Sequence, residues 1–265
     1  MVLATHNVKV LGSGSRVVVL GHGFGTDQSC FQHIVPTLLQ KDLRVILYDV
    51  MGAGSTNTDG FNFKRYSTHH AHADDLLAIL DELEIQSCVY VGHSMSGMVG
   101  CTASIERPEV FEKLILLGAS PRYLNDESYV GGFEQQDLDQ VYDSMRADFQ
   151  AWVTAFAPLA VGADVNSRAV QEFRRTLSKT KPEVAVHILQ AVFQSDLRSI
   201  LPQVTVPCHV VQSIKDITVP VQVAEYFRKH LGGSTTVELL QTEGHLPQLS
   251  APETVVPMLL RCIDQ

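Results

Sequence analysis

Gly92-His93-Ser94-Met95-Ser96-Gly97 sets a single serine among small residues, directly after the short apolar run Cys88 to Val91. A helix-forming stretch, Met98 to Arg107, follows it. Strand, tight turn and helix is the setting that lifts a serine hydroxyl above the carboxyl end of a sheet as a nucleophile. Such a turn tolerates only small neighbours. The strict spacing G-x-S-x-G puts glycine at 96. Here Ser96 stands in its place and Gly97 comes one residue late, which adds a hydroxymethyl group near the strand–helix contact. A serine hydroxyl is a weak nucleophile alone. It needs a base within hydrogen-bond reach and a group that orients that base.

Two downstream segments supply those partners. Val206 to Gln212 reads as a strand, and Asp216 follows it ahead of Pro220. Thr236 to Leu240 reads as the last strand, and His245 sits on the loop after it. The chain order Ser94, Asp216, His245 is that of the α/β-hydrolases. His245 is the expected acceptor of the Ser94 proton, with Asp216 fixing its tautomer. Glu243 is a rival acid, but it shares the His245 loop and is less well placed. An early loop, Gly21-His22-Gly23-Phe24-Gly25, follows the strand Val17 to Leu20. In α/β-hydrolases such a loop gives one N–H of the oxyanion hole, and the residue after the serine gives the other. The expected donors are therefore Phe24 and Met95. One donor of this kind is typically worth about 2.7–4 kcal/mol of transition-state stabilisation. The same glycines, with Asp49 ending the next strand, also suggest a dinucleotide-binding turn. The third glycine falls one residue early for that reading, which also leaves Ser94, Asp216 and His245 unexplained.

Positioning such residues requires strands that alternate with helices. Strands are predicted at Val17 to Leu20, Arg44 to Tyr48, Ser87 to Val91 and Lys113 to Leu117, with a helix from Ser67 to Leu83. This alternation implies a mostly parallel sheet with helices on both faces. Asn7 to Val10 and Val17 to Leu20, joined by Gly12-Ser13-Gly14-Ser15, read as an antiparallel edge hairpin. After Pro121 the pattern changes. Gln136 to Phe156, Ser167 to Lys179 and Pro182 to Gln194 read as helices rich in aromatics. The expected division is a core of residues 1–121 and 199–265, with 122–198 inserted as a helical lid over Ser94. Phe133, Trp152, Phe156 and Phe193 are the expected lining of an apolar pocket for a small hydrophobic ligand.

The bulk numbers limit the partners. A hydrophobic content of 45% supports a sizeable core. A formal charge of −9 argues against nucleic acid or an anionic membrane. No apolar run approaches a membrane span, and the opening residues predict no secretory leader. Five scattered cysteines, an odd number without C-x-x-C, read as reduced buried thiols of a cytoplasmic or nuclear protein. His69, His72 and Asp75, three apart, invite a metal reading; the spacing fits no recognised site, so a capped helix start with an exposed polar face is expected. No cofactor is called for.

Longer blocks carry a family likeness: Gly21-His22-Gly23-Phe24-Gly25-Thr26-Asp27, Ser120-Pro121-Arg122-Tyr123, Phe156-Ala157-Pro158-Leu159-Ala160 and Gly244-His245-Leu246-Pro247. From His6 to Cys262 the chain resembles the karrikin/strigolactone receptor family of plants, closer to its karrikin-insensitive branch. The resemblance implies an α/β-hydrolase fold with a four-helix lid, binding and slow hydrolysis of butenolides, and a monomer. It further implies recruitment of an F-box protein and a transcriptional repressor. The matching positions give Ser94, Asp216 and His245 as the triad. They add Tyr123 and Ile217 to Phe133, Trp152, Phe156 and Phe193 in the ligand pocket. Met95 is bulkier than the valine common in the family and is expected to narrow the pocket floor. The stretch around His187-Ile188-Leu189 matches less well. An ordinary carboxylesterase or lactonase for small hydrophobic esters is the alternative function.

Overall fold

A computed structural model describes all 265 residues. Its seven strands are β1 (Lys9–Leu11), β2 (Val17–Gly21), β3 (Arg44–Tyr48), β4 (Cys88–His93), β5 (Phe111–Leu117), β6 (Cys208–Lys215) and β7 (Thr235–Glu243). They form one sheet in the order β1-β3-β2-β4-β5-β6-β7. All neighbours are parallel except β1, which runs antiparallel to β3. The central strands β2 and β4 are buried along their whole length. The apolar runs Val17 to Leu20 and Cys88 to Val91 suit a sheet covered on both faces.

The core helices are α1 (Val2–Thr5), α2 (Val35–Gln40), α3 (His69–Glu82) and α4 (Met95–Glu106). Four helices then interrupt the alternation between β5 and β6: α5 (Gln135–Ala147), α6 (Phe149–Val161), α7 (Arg168–Leu177) and α8 (Pro182–Phe193). α9 (Gln222–His230), α10 (Pro247–Ser250) and α11 (Pro252–Asp264) complete the chain. Three of the four intervening helices, α6, α7 and α8, are tied to the loops that follow the strands. Thr176 Oγ1 donates to Gly25 O at 2.7 Å, His187 Nε2 to Tyr66 O at 3.1 Å, and the His245 amide to Ala160 O at 2.7 Å. No helix is long and apolar enough to cross a membrane.

Three expectations are corrected. β1 does not form a hairpin with β2: its partner is β3, which the β2–α2–β3 crossover sets beside β2. The helix expected from Gln136 to Phe156 is two, because Asp148 leaves helical geometry and its carboxylate caps α6 by accepting the Ala151 amide at 2.9 Å. The start of α3 is not an exposed polar face. His69 and His72 are 4% and 5% exposed, while His70 and Asp74 alone point outward there. Its expected cap is also missing, since Thr68 makes no side-chain cap bond. A neutral imidazole packs as an aromatic ring: His72 lies against Tyr66, with ring centroids 5.0 Å apart. Asp75 is buried with them, and Arg65 at 2.6 Å and the Tyr66 hydroxyl at 2.9 Å satisfy its carboxylate.

Candidate active site

Ser94 is the hinge between β4 and α4. Its backbone sits at φ 55°, ψ −123°, a left-handed conformation that costs a non-glycine residue about 1–3 kcal/mol. Its amide donates to Leu117 O at 2.8 Å, which fixes the turn to β5. Gly92 is required: a Cβ there would collide with the Ser96 carbonyl oxygen. Ser96 fits because its hydroxyl has a use. It is fully buried and donates to His22 O at 2.5 Å, so the residue that departs from the strict motif ties the elbow to the oxyanion loop. Ser96→Ala leaves that carbonyl without its hydroxyl donor. We expect it to cost about 1–3 kcal/mol in urea denaturation and to slow ester hydrolysis. A variant as stable and active as the parent would reduce Ser96 to a space-filler.

The loop that Ser96 holds is rigid by its own bonds. His22 Nε2 accepts the Val50 amide at 3.0 Å, so the proton resides on Nδ1, which donates to Gly23 O at 2.9 Å. Burial holds His22 below the usual imidazole range and keeps it neutral, against the pull of Asp49. The Phe24 amide meets no protein acceptor. Met95 is the first residue of α4, and a first-turn amide has no partner within its own helix. Both expected oxyanion donors therefore stand unspent on fixed turns. Asp49 is committed elsewhere, accepting the Gln28 amide at 2.8 Å and Asn7 Nδ2 at 2.9 Å.

The three residues expected to act together meet. His245 Nε2 lies 2.8 Å from Ser94 Oγ, and Nδ1 lies 2.7 Å from Asp216 Oδ2. Burial pushes the Asp216 carboxyl up. His245 and the amides of Thr218 and Val219, at 2.7 and 3.1 Å, outweigh it and hold the group below the usual carboxylate range. An ionised Asp216 accepts the Nδ1 proton, which leaves Nε2 free to accept one from Ser94. Glu243 is on the surface, paired with Lys215 at 2.5 Å.

An apolar chamber opens onto Ser94 and His245. Phe24, Phe156, Phe173, Leu189 and Phe193 form much of its wall. Of the expected lining, Phe156 and Phe193 face the space. Trp152 and Phe133 stand behind them as a second layer, and Tyr123, absent from the wall, comes close to Ser94. Trp152 stacks on Phe156 with centroids 4.8 Å apart, and Tyr123 and Phe133 pack on Phe193 at 4.3 and 5.3 Å. Ile217 is not in the wall: the turn that points Asp216 inward leaves Ile217 51% exposed. Met95 does not narrow the floor of this chamber. Met95 instead lines a small neighbouring space together with Thr180 and Ile188. Phe173 and Leu189 were missed as lining. Their signal was helical spacing, Val170-Phe173-Leu177 on α7 and Leu189-Phe193 on α8.

A parallel sheet that carries a strained serine after β4, an acid after β6 and a histidine after β7 defines a class, and a family comparison agrees. The alpha/beta hydrolase fold family matches residues 16–252, and the chain belongs to it. Within that class the chain is a member of the karrikin-insensitive 2 and strigolactone esterase family. It is 57% identical to the karrikin insensitive 2 receptor CA of Petunia hybrida, over 97% of this chain and 95% of the relative. It is 58% identical to a probable esterase of Oryza sativa subsp. japonica (98% and 96% covered) and 55% identical to a strigolactone esterase of Arabidopsis thaliana (100% and 98%). Among solved structures, a hydrolase from Oleispira antarctica superposes with a TM-score of 0.94 at 31% identity, covering 100% of this chain and 96% of that one.

Proposed function

We propose that this chain is a butenolide receptor that retains slow serine-hydrolase activity. The observation that carries the reading is the unbroken relay Asp216–His245–Ser94, with spacings of 2.7 and 2.8 Å, beneath an apolar chamber. Its aromatic and aliphatic wall and scarcity of polar groups suit a small uncharged ligand. In the proposed reaction His245 Nε2 takes the Ser94 proton as Oγ attacks the ligand carbonyl. The developing oxyanion is received by the Phe24 and Met95 amides. Asp216 holds the Nδ1–H tautomer and stabilises the imidazolium. His245 then returns the proton to the leaving group.

The segment 122–198 acts as a lid in this reading. A ligand against Phe156, Leu189 and Phe193 presses on α6 and α8, and so alters the outer face of the helices. That altered face recruits an F-box protein and a transcriptional repressor, in the cytoplasm and nucleus. The receptor names of close relatives support the receptor role in this reading. The test is to incubate the full chain with a panel of butenolides, following turnover and co-purification with an F-box protein. Slow turnover with a ligand-dependent stoichiometric complex is expected. Turnover at ordinary enzyme rates, about 10 s⁻¹, with no such complex, would make the chain a carboxylesterase or lactonase instead.

A further inference from the structure

The residue just before the nucleophile takes no part in the relay, yet it touches the loops that serve it. We infer that His93 is a positioning residue: its imidazole holds the main chain of His245 so that the His245 ring meets Ser94. The inference rests on reading Ser94 and His245 as nucleophile and base.

His93 Nε2 lies 2.7 Å from the His245 carbonyl oxygen. A carbonyl only accepts, so the proton is on Nε2. The ring is 1% exposed, and its centroid is 5.0 Å from that of His245. Nδ1 has no partner. Burial first, and then the nearness of His245, bring the His93 pKa down to about 3. The neutral ring therefore has a single N–H, and it is spent on the His245 backbone. On the other side, a Cβ added to Gly23 meets His93 Nδ1 at 2.7 Å and Ser94 Cβ at 2.9 Å. The imidazole is thus wedged between the oxyanion loop and the base loop.

Packing alone does not call for this residue. An apolar side chain of similar size fills the space without burying an unpartnered nitrogen. What an imidazole adds is the donor. The amide of His245 is already held by Ala160 O of α6 at 2.7 Å. With His93 on the carbonyl, the His245 main chain is fixed at both polar atoms, from the helical cover and from the elbow. The 2.8 Å gap from Nε2 to Ser94 Oγ depends on that placement, because a displacement of about 1 Å costs up to about 100-fold in rate.

The test compares His93→Leu, His93→Gln and His93→Asn in the full chain, with 4-nitrophenyl acetate as probe and Ser94→Ala as control. Assays are run at temperatures where melting curves report each variant folded. The glutamine amide reaches the place of Nε2 and keeps the donor; the asparagine amide stops near Nδ1 and loses it. We expect Leu and Asn to lower kcat about tenfold or more, with KM little changed, and Gln to recover most of the rate. If Leu does not fold, the contrast between Gln and Asn carries the test. Parental kcat in Leu or Asn, or a Gln variant as slow as Asn, overturns the inference while an inactive Ser94→Ala leaves the nucleophile standing. Parental activity in Ser94→Ala overturns the underlying assignment itself.

Discussion

Ser94→Ala is expected to lower the hydrolysis of an activated ester or a butenolide by at least about 10³-fold, with the fold intact. The size follows from the step removed. Residual rates after loss of a triad member come from the oxyanion hole and binding alone. Those elements survive here, because the Phe24 and Met95 amides belong to the backbone and the chamber wall to other residues. The fold survives for local reasons. The elbow is held by the Ser94 amide bond to Leu117 O at 2.8 Å and by the close fit of Gly92, neither of which involves Oγ. Alanine keeps the Cβ and bears the same left-handed strain as serine. The hydrogen bond lost is the one that Ser94 Oγ donates to His245 Nε2 at 2.8 Å. The melting temperature should therefore stay within a few degrees of the parent. Initial rates with 4-nitrophenyl acetate, beside a thermal melt, decide the matter. Hydrolysis by the alanine variant at the parental rate would remove Ser94 from the chemistry.

The site was more legible than its surroundings, because its residues follow strands that local composition defines. Arg44–Tyr48 is β3 to the residue, β2 runs one residue past its expected end, and β6 begins two residues later and ends three later than expected. An acid or histidine in the loop after such a strand is aimed at the same edge of the sheet, so order along the chain was enough. Pairing was not legible, since β1 is three residues long and its partner lies across the β2–α2–β3 crossover. Nor was the break at Asp148, because apolar residues run helically on both sides and the break is a single cap. The two-layer wall was half legible. Aromatic content marked Trp152 and Phe156 alike, and only their stacking decides which one faces the chamber. The histidines of α3 were misjudged for a related reason: composition counts histidine as polar, whereas its neutral ring packs well in a core.

That burial has a consequence in acid. His69, His72 and His93 are enclosed, and each has a ring nitrogen with no partner: Nε2 of His69 and Nδ1 of the other two. Burial lowers their pKa values to about 4, about 3 and about 3. An unfolded histidine titrates near 6.5. Between these values the unfolded chain binds more protons than the folded one, so stability rises with pH and is lost as pH falls from about 6.5 toward 4. At pH 5 each ring costs about 2 kcal/mol, and the three together about 6 kcal/mol, against a total stability of about 5–15 kcal/mol for a typical domain. Asp216, held below its unfolded value of 3.8, gives up its contribution only at lower pH. Urea denaturation should therefore give a steep loss of stability between pH 6.5 and 5, with at least about three protons taken up per unfolding event at pH 5. His72→Gln should reduce that uptake by about one. Stability that stays flat from pH 7 to 5 would mean that these rings are charged or hydrated in the folded protein, and the packing described around α3 and β4 would have to be redrawn.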